Sequence, residues 1–482
     1  MNKTKKIINS LAALSEEITV RDVKEVTQED GCIRLDVYVD HIVHTRSCPH
    51  CGSKKCKKQG KKPSYAWHIP QGKRRPTRII YRRQRFLCKT CGSTYLEEIT
   101  WIYEDGHLTS ELAGCIITDL HSIMTKNDIA RINGVSVYFV DYILDKVKPP
   151  IPSHLPAVIC LDETFSQVEE ELDDKTAWIR FVTNLSDGET GELLDILPFR
   201  NKHQLIRYFN DNFSYEERSK VKHLCCDGAD YYMDLAGKCF PCADVCLDNF
   251  HITKRLHKGF FHVRTKQQEN LLSKSKEKND RYFKEAYDLK RLSHKFVTSA
   301  YNHDFYWGDK CDEYSARLKH HLAACPELKD AYAMLQYYYE IFHNICDYET
   351  KISDLNTWIS IFGKSTSEPI AATVKSITDR LDYIHNAWKK GYSNAVCEGN
   401  NNVIQTLKDL SFGIHNFDYF RTRSLLIVGS PGVARELEKK HADDHDCHSF
   451  FFDDFPSLEE YTLAYDWTDP DKDFSKEGDR SS

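Results

Sequence analysis

The chain has 482 residues, 41% hydrophobic and 29% charged, with a formal net charge of −6. That is too long for one core, so three or four structural units are expected, and no run of eighteen apolar residues exists to span a membrane. The start, MNKTKKIINSLAALSEE, is not read as a signal peptide, and eighteen cysteines without an export signal point to a reducing cytoplasm.

Residues 1–100 form the expected first unit. Residues 30–47 alternate apolar and polar like a strand and lead into Cys48-Pro49-His50-Cys51. A second pair, Cys88-Lys89-Thr90-Cys91, follows after thirty-six intervening residues. Four thiolates so spaced suit one structural Zn²⁺, and two knuckles joined by a β-hairpin make a zinc ribbon. Gly-Ser follows each pair, a turn that frees N–H groups for sulfur, while Cys56 and His50 are alternative ligands. Between Asp40 and Glu97 there is no acidic residue but fifteen Lys or Arg, a density that suits a phosphate backbone. Lys57, Lys58, Lys61, Lys62, Arg74, Arg75, Arg82, Arg83 and Arg85 are the DNA-contact candidates, the last three on the alternating strand RIIYRRQRFL.

Residues 101–150 predict a helix-turn-helix: SELAGCIITDLHSIM, then a short helix ending at Gly134, then a second helix capped by Ser136. That last helix presents Tyr138, Phe139 and Asp141, so Ser136 and Tyr138 join the DNA-contact candidates. Packing is the competing role. Prolines at 149, 150, 152 and 156 mark a linker.

From 151 to 262 the pattern predicts strands at 157–162, 177–185 and 192–199, a helix at KHQLIRYFN, a strand at 221–227, a helix from Tyr231 to Gly237, and a strand at 243–248. Three strands, a helix, and two strands separated by a helix is the order of an RNase H-like sheet. Residues 263–385 predict an all-α insertion, 386–430 the final helical part of the core, and 431–482 an acidic tail. The fold class expected is multidomain α/β.

Asp162 and Asp227 each end an apolar strand, where a carboxylate needs a partner. Side by side they would repel unless a cation lay between them. Mg²⁺, or Mn²⁺, suits such oxygen ligands. Glu398 is the third acid, with Asn402 and Gln405 on its helix face at i+4 and i+7. Cys225, Cys226 and Cys397 read as small buried hydrophobes, and Cys239, Cys242 and Cys246 with His251 as packing rather than a second zinc cluster.

The ribbon, the helix-turn-helix, VICLDE, CDGADYY, LDNFHITK and SNAVCEGNNNVIQTLKDLSFGIHNFDYFRTRSLL together resemble the transposases of ISL-three-type bacterial insertion sequences, from about Cys48 to Leu426. The most specific part is Ser-Asn, Glu-Gly-x-Asn-Asn, then Phe-Gly-x-x-Asn-Phe-x-x-Phe-Arg. The resemblance implies an Asp-Asp-Glu enzyme on an RNase H-like fold, with Asp162, Asp227 and Glu398 holding two metal ions. Asp248 is the alternative second acid, and Asp248, His251 and Asn402 have supporting roles. It further implies strand cleavage and transfer, binding of terminal inverted repeats and target DNA, at least a dimer on DNA, and a nucleoid-associated bacterial location. The competing functions are a zinc-ribbon DNA-binding regulator that has lost its chemistry and a metal-dependent nuclease without strand transfer.

Overall fold

The computed structural model describes residues 12–44, 47–72, 74–172, 175–227, 230–278, 280–344, 346–411 and 414–428. The acidic tail expected at 431–482 lies outside them.

The N-terminal sheet contains β1 (Ile18–Thr27), β2 (Ile33–His41), β3 (Cys56–Gln71), β4 (Arg75–Cys88) and β5 (Thr94–Leu96). Its order is β1-β2-β4-β3, with β5 on β4. The expected hairpin is β3 against β4, antiparallel from Cys56↔Cys88 to Gln71↔Arg75. Strand β1 is not anticipated by any local pattern. It pairs with β2 and buries Ile18 against Val37, Val39, Ile79 and Trp101, closing a core that the hairpin alone could not.

Helices α1 (Ser110–Leu120), α2 (Lys126–Asn133) and α3 (Val137–Lys146) follow. The hydroxyls of Thr109 and Thr125 accept N–H bonds from Leu112 and Asp128, satisfying donors that helix starts otherwise expose. Gly134 ends α2 at φ +64°, and a Cβ there would meet Pro70 and Pro76 at 3.1 Å. Ser136 stands at the N-cap of α3 without a side-chain cap bond. Leu112, Ile116, Leu120, Ile129, Val140 and Ile143 form the buried centre of this unit.

The second sheet holds β6 (Val158–Leu172), β7 (Lys175–Asp187), β8 (Leu193–Leu197), β9 (His223–Cys226) and β10 (Asp244–Leu247), in the order β10-β9-β6-β7-β8. Strands β6, β7 and β8 are antiparallel neighbours, whereas β9 runs parallel to β6 and β10 parallel to β9. Strand β6 does not stop at Asp162. It continues through the acidic run to Leu172, paired with β7 along most of its length. Helices α4 (Lys202–Asn212) and α5 (Asp230–Cys239) lie in sequence after β8 and β9. One face of the sheet contributes Ile159, Leu161, Leu224, Cys226 and Val245 to a core with Leu205, Phe209 and Leu235. Period-two alternation sends Val158, Cys160, Cys225 and Cys246 to the other face, against Ala387 and Cys397.

Helix α6 (Asn249–Lys274) begins directly after β10 and crosses the boundary expected at 262–263. The helical region beyond it includes α7 (Pro326–His343), α8 (Tyr348–Phe362), α9 (Glu368–Thr378) and α10 (Leu381–Lys390), sharing a core with Leu256, Phe260, Leu335 and Trp358. At Gly259 an added Cβ would overlap the Thr373 hydroxyl, so α6 and α9 approach closely there. The chain then returns to the sheet through α11 (Ala395–Leu410) and α12 (Phe417–Val428).

Helix α12 ties the units together. Fully buried Arg423 donates to the carbonyls of Leu120 (2.7 Å), Ser122 (3.0 Å) and Met124 (2.8 Å), where α1 ends. Arg421 donates to Asp195 on β8 (2.6 Å) and to the Pro149 carbonyl in the linker (2.9 Å). Among the described residues no helix is long and apolar enough to cross a membrane.

Candidate active site

Strand register places three acids at one sheet edge. Leu161 pairs with Cys226, and Cys226 with Leu247, so the next residues, Asp162, Asp227 and Asp248, emerge side by side. Cys160, Cys225 and Cys246 sit two residues earlier on the same face. Cys397 packs against this thiol layer from α11, which brings its neighbour Glu398 to the acids. The reading of Cys225, Cys226 and Cys397 as buried hydrophobes agrees with their full burial.

The electrostatics record the crowding. Burial pushes the Asp162 carboxyl up to about 7, with Asp227 and Asp248 adding to the effect. Burial, then Asp248 and Asp162, push Glu398 up to about 8. Asp248 is raised to about 6 by burial, although the N–H groups of Asn394 and Phe250 favour its charged form. Like charges brought this close without a cation hold protons. Oxygens of Asp248 and Glu398 and a ring nitrogen of His251 lie within 4.8 Å of one another. Burial, with Lys254 and Arg255 nearby, lowers His251 to about 3, so its ring is neutral and able to ligate.

The DxxH spacing has a simple cause. Asp248 is the N-cap of α6 and His251 lies in its first turn, so both sit at one helix end. Asp248 Oδ2 accepts the Phe250 N–H and Oδ1 accepts the Asn394 N–H, each at 3.1 Å.

Asn402 is exposed, as is Gln405, which donates to Asp409. The side chain that reaches the acids from this helix is Asn401, three residues beyond Glu398. Spacing along the helix favours the i+4 face, whereas it is the i+3 face that meets the sheet.

The four cysteines at 48, 51, 88 and 91 gather as expected, all within 4.8 Å of one another. Cys48 and Cys91 sulfurs lie 3.6 Å apart and Cys51 and Cys88 sulfurs 3.7 Å. Tetrahedral zinc with bonds of about 2.3 Å separates its sulfurs by about 3.8 Å, so the set fits that ion. The knuckles share one pattern: Gly52 and Gly92 at φ +70° and +74° donate to the Cys48 and Cys88 carbonyls. Cys56 donates to the Ser53 carbonyl and is not in the group, nor is His50. Among the described residues, Cys239, Cys242 and Cys246 form no cluster with His251.

Lys57, Lys58, Lys61, Lys62, Arg74, Arg82 and Arg85 are exposed. Arg75 pairs with Glu25, and Arg83 donates to the Glu97 carbonyl at 2.8 Å. On α3, Tyr138 is exposed, but its neighbour Asp141 pairs with Lys126 at 2.8 Å, and Phe139 packs on the three-helix core.

The family model DDE_Tnp_ISL3, described as Transposase, matches residues 159–424, which is 266 of 482 positions. No curated protein matches. Among solved structures, the Drosophila P element transposase strand transfer complex is similar with a TM-score of 0.40 and 10% identity, covering 69% of this chain and 96% of that chain. The family match runs from β6 through α12 and contains every acid of the cluster, and the chain belongs to the DDE_Tnp_ISL3 transposase family.

Proposed function

We propose that the chain cleaves DNA strands at the ends of its insertion sequence and joins them to target DNA, using Asp162, Asp227 and Glu398 as metal ligands on an RNase H-like core. The observation that carries this reading is the meeting of acids from three separate strand ends and a helix that lies 150 or more residues further along the chain. The antiparallel triplet with two parallel strands beside it supports the RNase H-like assignment. Two Mg²⁺ or Mn²⁺ ions held there would supply an in-line clamp, activating a water or 3′-hydroxyl and stabilising the leaving 3′-oxygen.

The residues' own work is to bind and orient. Asp162 lies within the field of Asp227, Asp248 and Glu398. Asp162, Asp248 and Glu398, whose carboxyls burial holds toward the protonated form, would give up those protons to a bound cation, and no side chain is needed as a covalent nucleophile. A specific observation favours Asp248 as a further or alternative second acid, since its carboxylate lies with His251 and Glu398. Cys48, Cys51, Cys88 and Cys91 hold a structural zinc in a ribbon whose exposed lysines and arginines grip phosphates of the terminal repeats. Joining two ends calls for at least a dimer on DNA.

The test is Mg²⁺-dependent nicking and strand transfer on the element's ends. Asp162→Asn, Asp227→Asn and Glu398→Gln should each abolish both while end binding persists. Full activity in any of them removes that residue from the assignment. Nicking without joining would make the protein a nuclease, and binding without either a regulator.

A further inference from the structure

The Glu-Gly-Asn-Asn-Asn run at 398–402 gives its three asparagines different surroundings. Asn400 is fully buried and donates to the Ser186 hydroxyl (3.0 Å) and the Gly191 carbonyl (3.2 Å), fastening α11 to the β7–β8 turn. Asn402 faces solvent. Asn401 points at the acids, its Nδ2 donating to Asp162 Oδ2 at 2.8 Å.

Which way the Asn401 amide faces is settled by its other end. Its Oδ1 accepts the Thr164 hydroxyl at 2.7 Å and also an N–H of Asn184. Asn184 Nδ2 in turn donates to the Thr164 hydroxyl at 2.8 Å. Both partners are buried, Asn184 completely and Thr164 nearly so. Their positions follow from the sheet: Asn184 is the register partner of Asp162, and Thr164 is two residues along the same strand face. An oxygen held by two donors leaves only the NH₂ to face Asp162. The second Asp162 oxygen, Oδ1, accepts the Glu163 N–H at 2.8 Å. Among the described residues each carboxylate oxygen is therefore held by one donor, with its remaining lone pairs open to a ligand.

We infer that Asn401 is a positioning residue for metal binding: the Thr164–Asn184–Asn401 triad fixes the Asp162 carboxylate so that its free lone pairs face the other acids. The inference rests on Asp162 being a metal ligand, as proposed above. Partners of this kind restrict a ligand to the productive rotamer and are worth roughly 10–100-fold in metal affinity. Asn401 touches neither the reacting atoms nor DNA in this role.

The experiment uses the full chain with Mn²⁺ alone, titrated while free Mn²⁺ is followed by electron paramagnetic resonance, alongside the Mg²⁺ dependence of nicking. Asn401→Ala should weaken Mn²⁺ binding and raise the half-saturating Mg²⁺ by roughly 10–100-fold, with the KM for the DNA end unchanged. A merely structural role would lower the active fraction and leave the metal midpoint in place. Thr164→Val, which keeps the shape but leaves the Asn401 oxygen only one of its two donors, should shift the midpoint the same way by less, and it decides the matter if Asn401→Ala does not fold. Unchanged Mn²⁺ affinity in the folded variants overturns the inference. Asp162→Asn separates the two layers: if it abolishes metal binding while Asn401→Ala does not affect it, only this inference fails. If Asp162→Asn binds metal and nicks DNA normally, the underlying assignment fails.

Discussion

Glu398→Gln is expected to stabilise the metal-free protein while removing a proposed metal ligand. Burial, then Asp248 and Asp162, raise the Glu398 carboxyl to about 8, against about 4.3 in an unfolded chain. An acid raised in this way binds its proton more tightly when folded. Its cost to stability is therefore absent below the unfolded value and grows as pH climbs toward the folded one. Each pH unit in that window is worth about 1.4 kcal/mol, so the full shift bounds the effect at roughly 5 kcal/mol. Because Glu398 shares its field with two other acids whose protonation relaxes it, the gain expected from glutamine at pH 8 is on the order of 2–4 kcal/mol, fading at about pH 4.5. Mg²⁺ at about a hundred times its dissociation constant adds about 2.7 kcal/mol to the wild type and narrows or reverses the order. Urea unfolding of the full chain in EDTA at both pH values, then with Mg²⁺, reads all three arms. An equal shift at both pH values, or a wild type more stable than the variant in EDTA at pH 8, would refute the reasoning.

Cys48→Ser and Cys88→Ser should each reduce zinc content from about one per chain to near zero, measured by elemental analysis of the purified protein. Replacing Lys57, Lys58, Lys61 and Lys62 by Gln should flatten the dependence of DNA affinity on salt by about 0.9 in log–log slope for each phosphate no longer neutralised; an unchanged slope would take the hairpin out of the interface. Arg423→Met should destabilise by about 1–3 kcal/mol, since the buried Leu120 carbonyl and the part-buried Ser122 and Met124 carbonyls lose their donor. Limited proteolysis should then cut the 148–156 linker faster. Gly259→Ala should cost about 1–3 kcal/mol in thermal unfolding, because Thr373 stands where the methyl would go.

Local patterns carried much of the architecture. Apolar runs located β6 through β10, the two Cys-x-x-Cys pairs located the knuckles, and caps and a left-handed glycine located α2 and α3. Asp162 and Asp227 were legible because each follows a run of apolar residues that a strand must bury, whereas Asp248 was legible through the family resemblance. What local pattern could not carry was pairing. Strand β1 is a polar, mostly exposed strand recognisable only by its register with β2. The acidic run after Glu163 resembles a loop by composition, yet it is held as strand by its partner β7. Asn401 and Asn402 are adjacent and chemically identical, and only the seat of α11 on the sheet decides which meets Asp162. Arg421 and Arg423, in a basic-aromatic stretch, serve a buried carboxylate and a buried carbonyl that lie far away in sequence.

The proposed strand transfer calls for divalent cations gripped where β6, β9, β10 and α11 converge. Anomalous diffraction from crystals of the full chain soaked in Mn²⁺ tests this most directly. Peaks within ligand distance of the carboxylates of Asp162 and Glu398, with Asp227 or Asp248 completing the set, are the expected result. Manganese bound elsewhere, with those carboxylates left protonated and unligated, would contradict it.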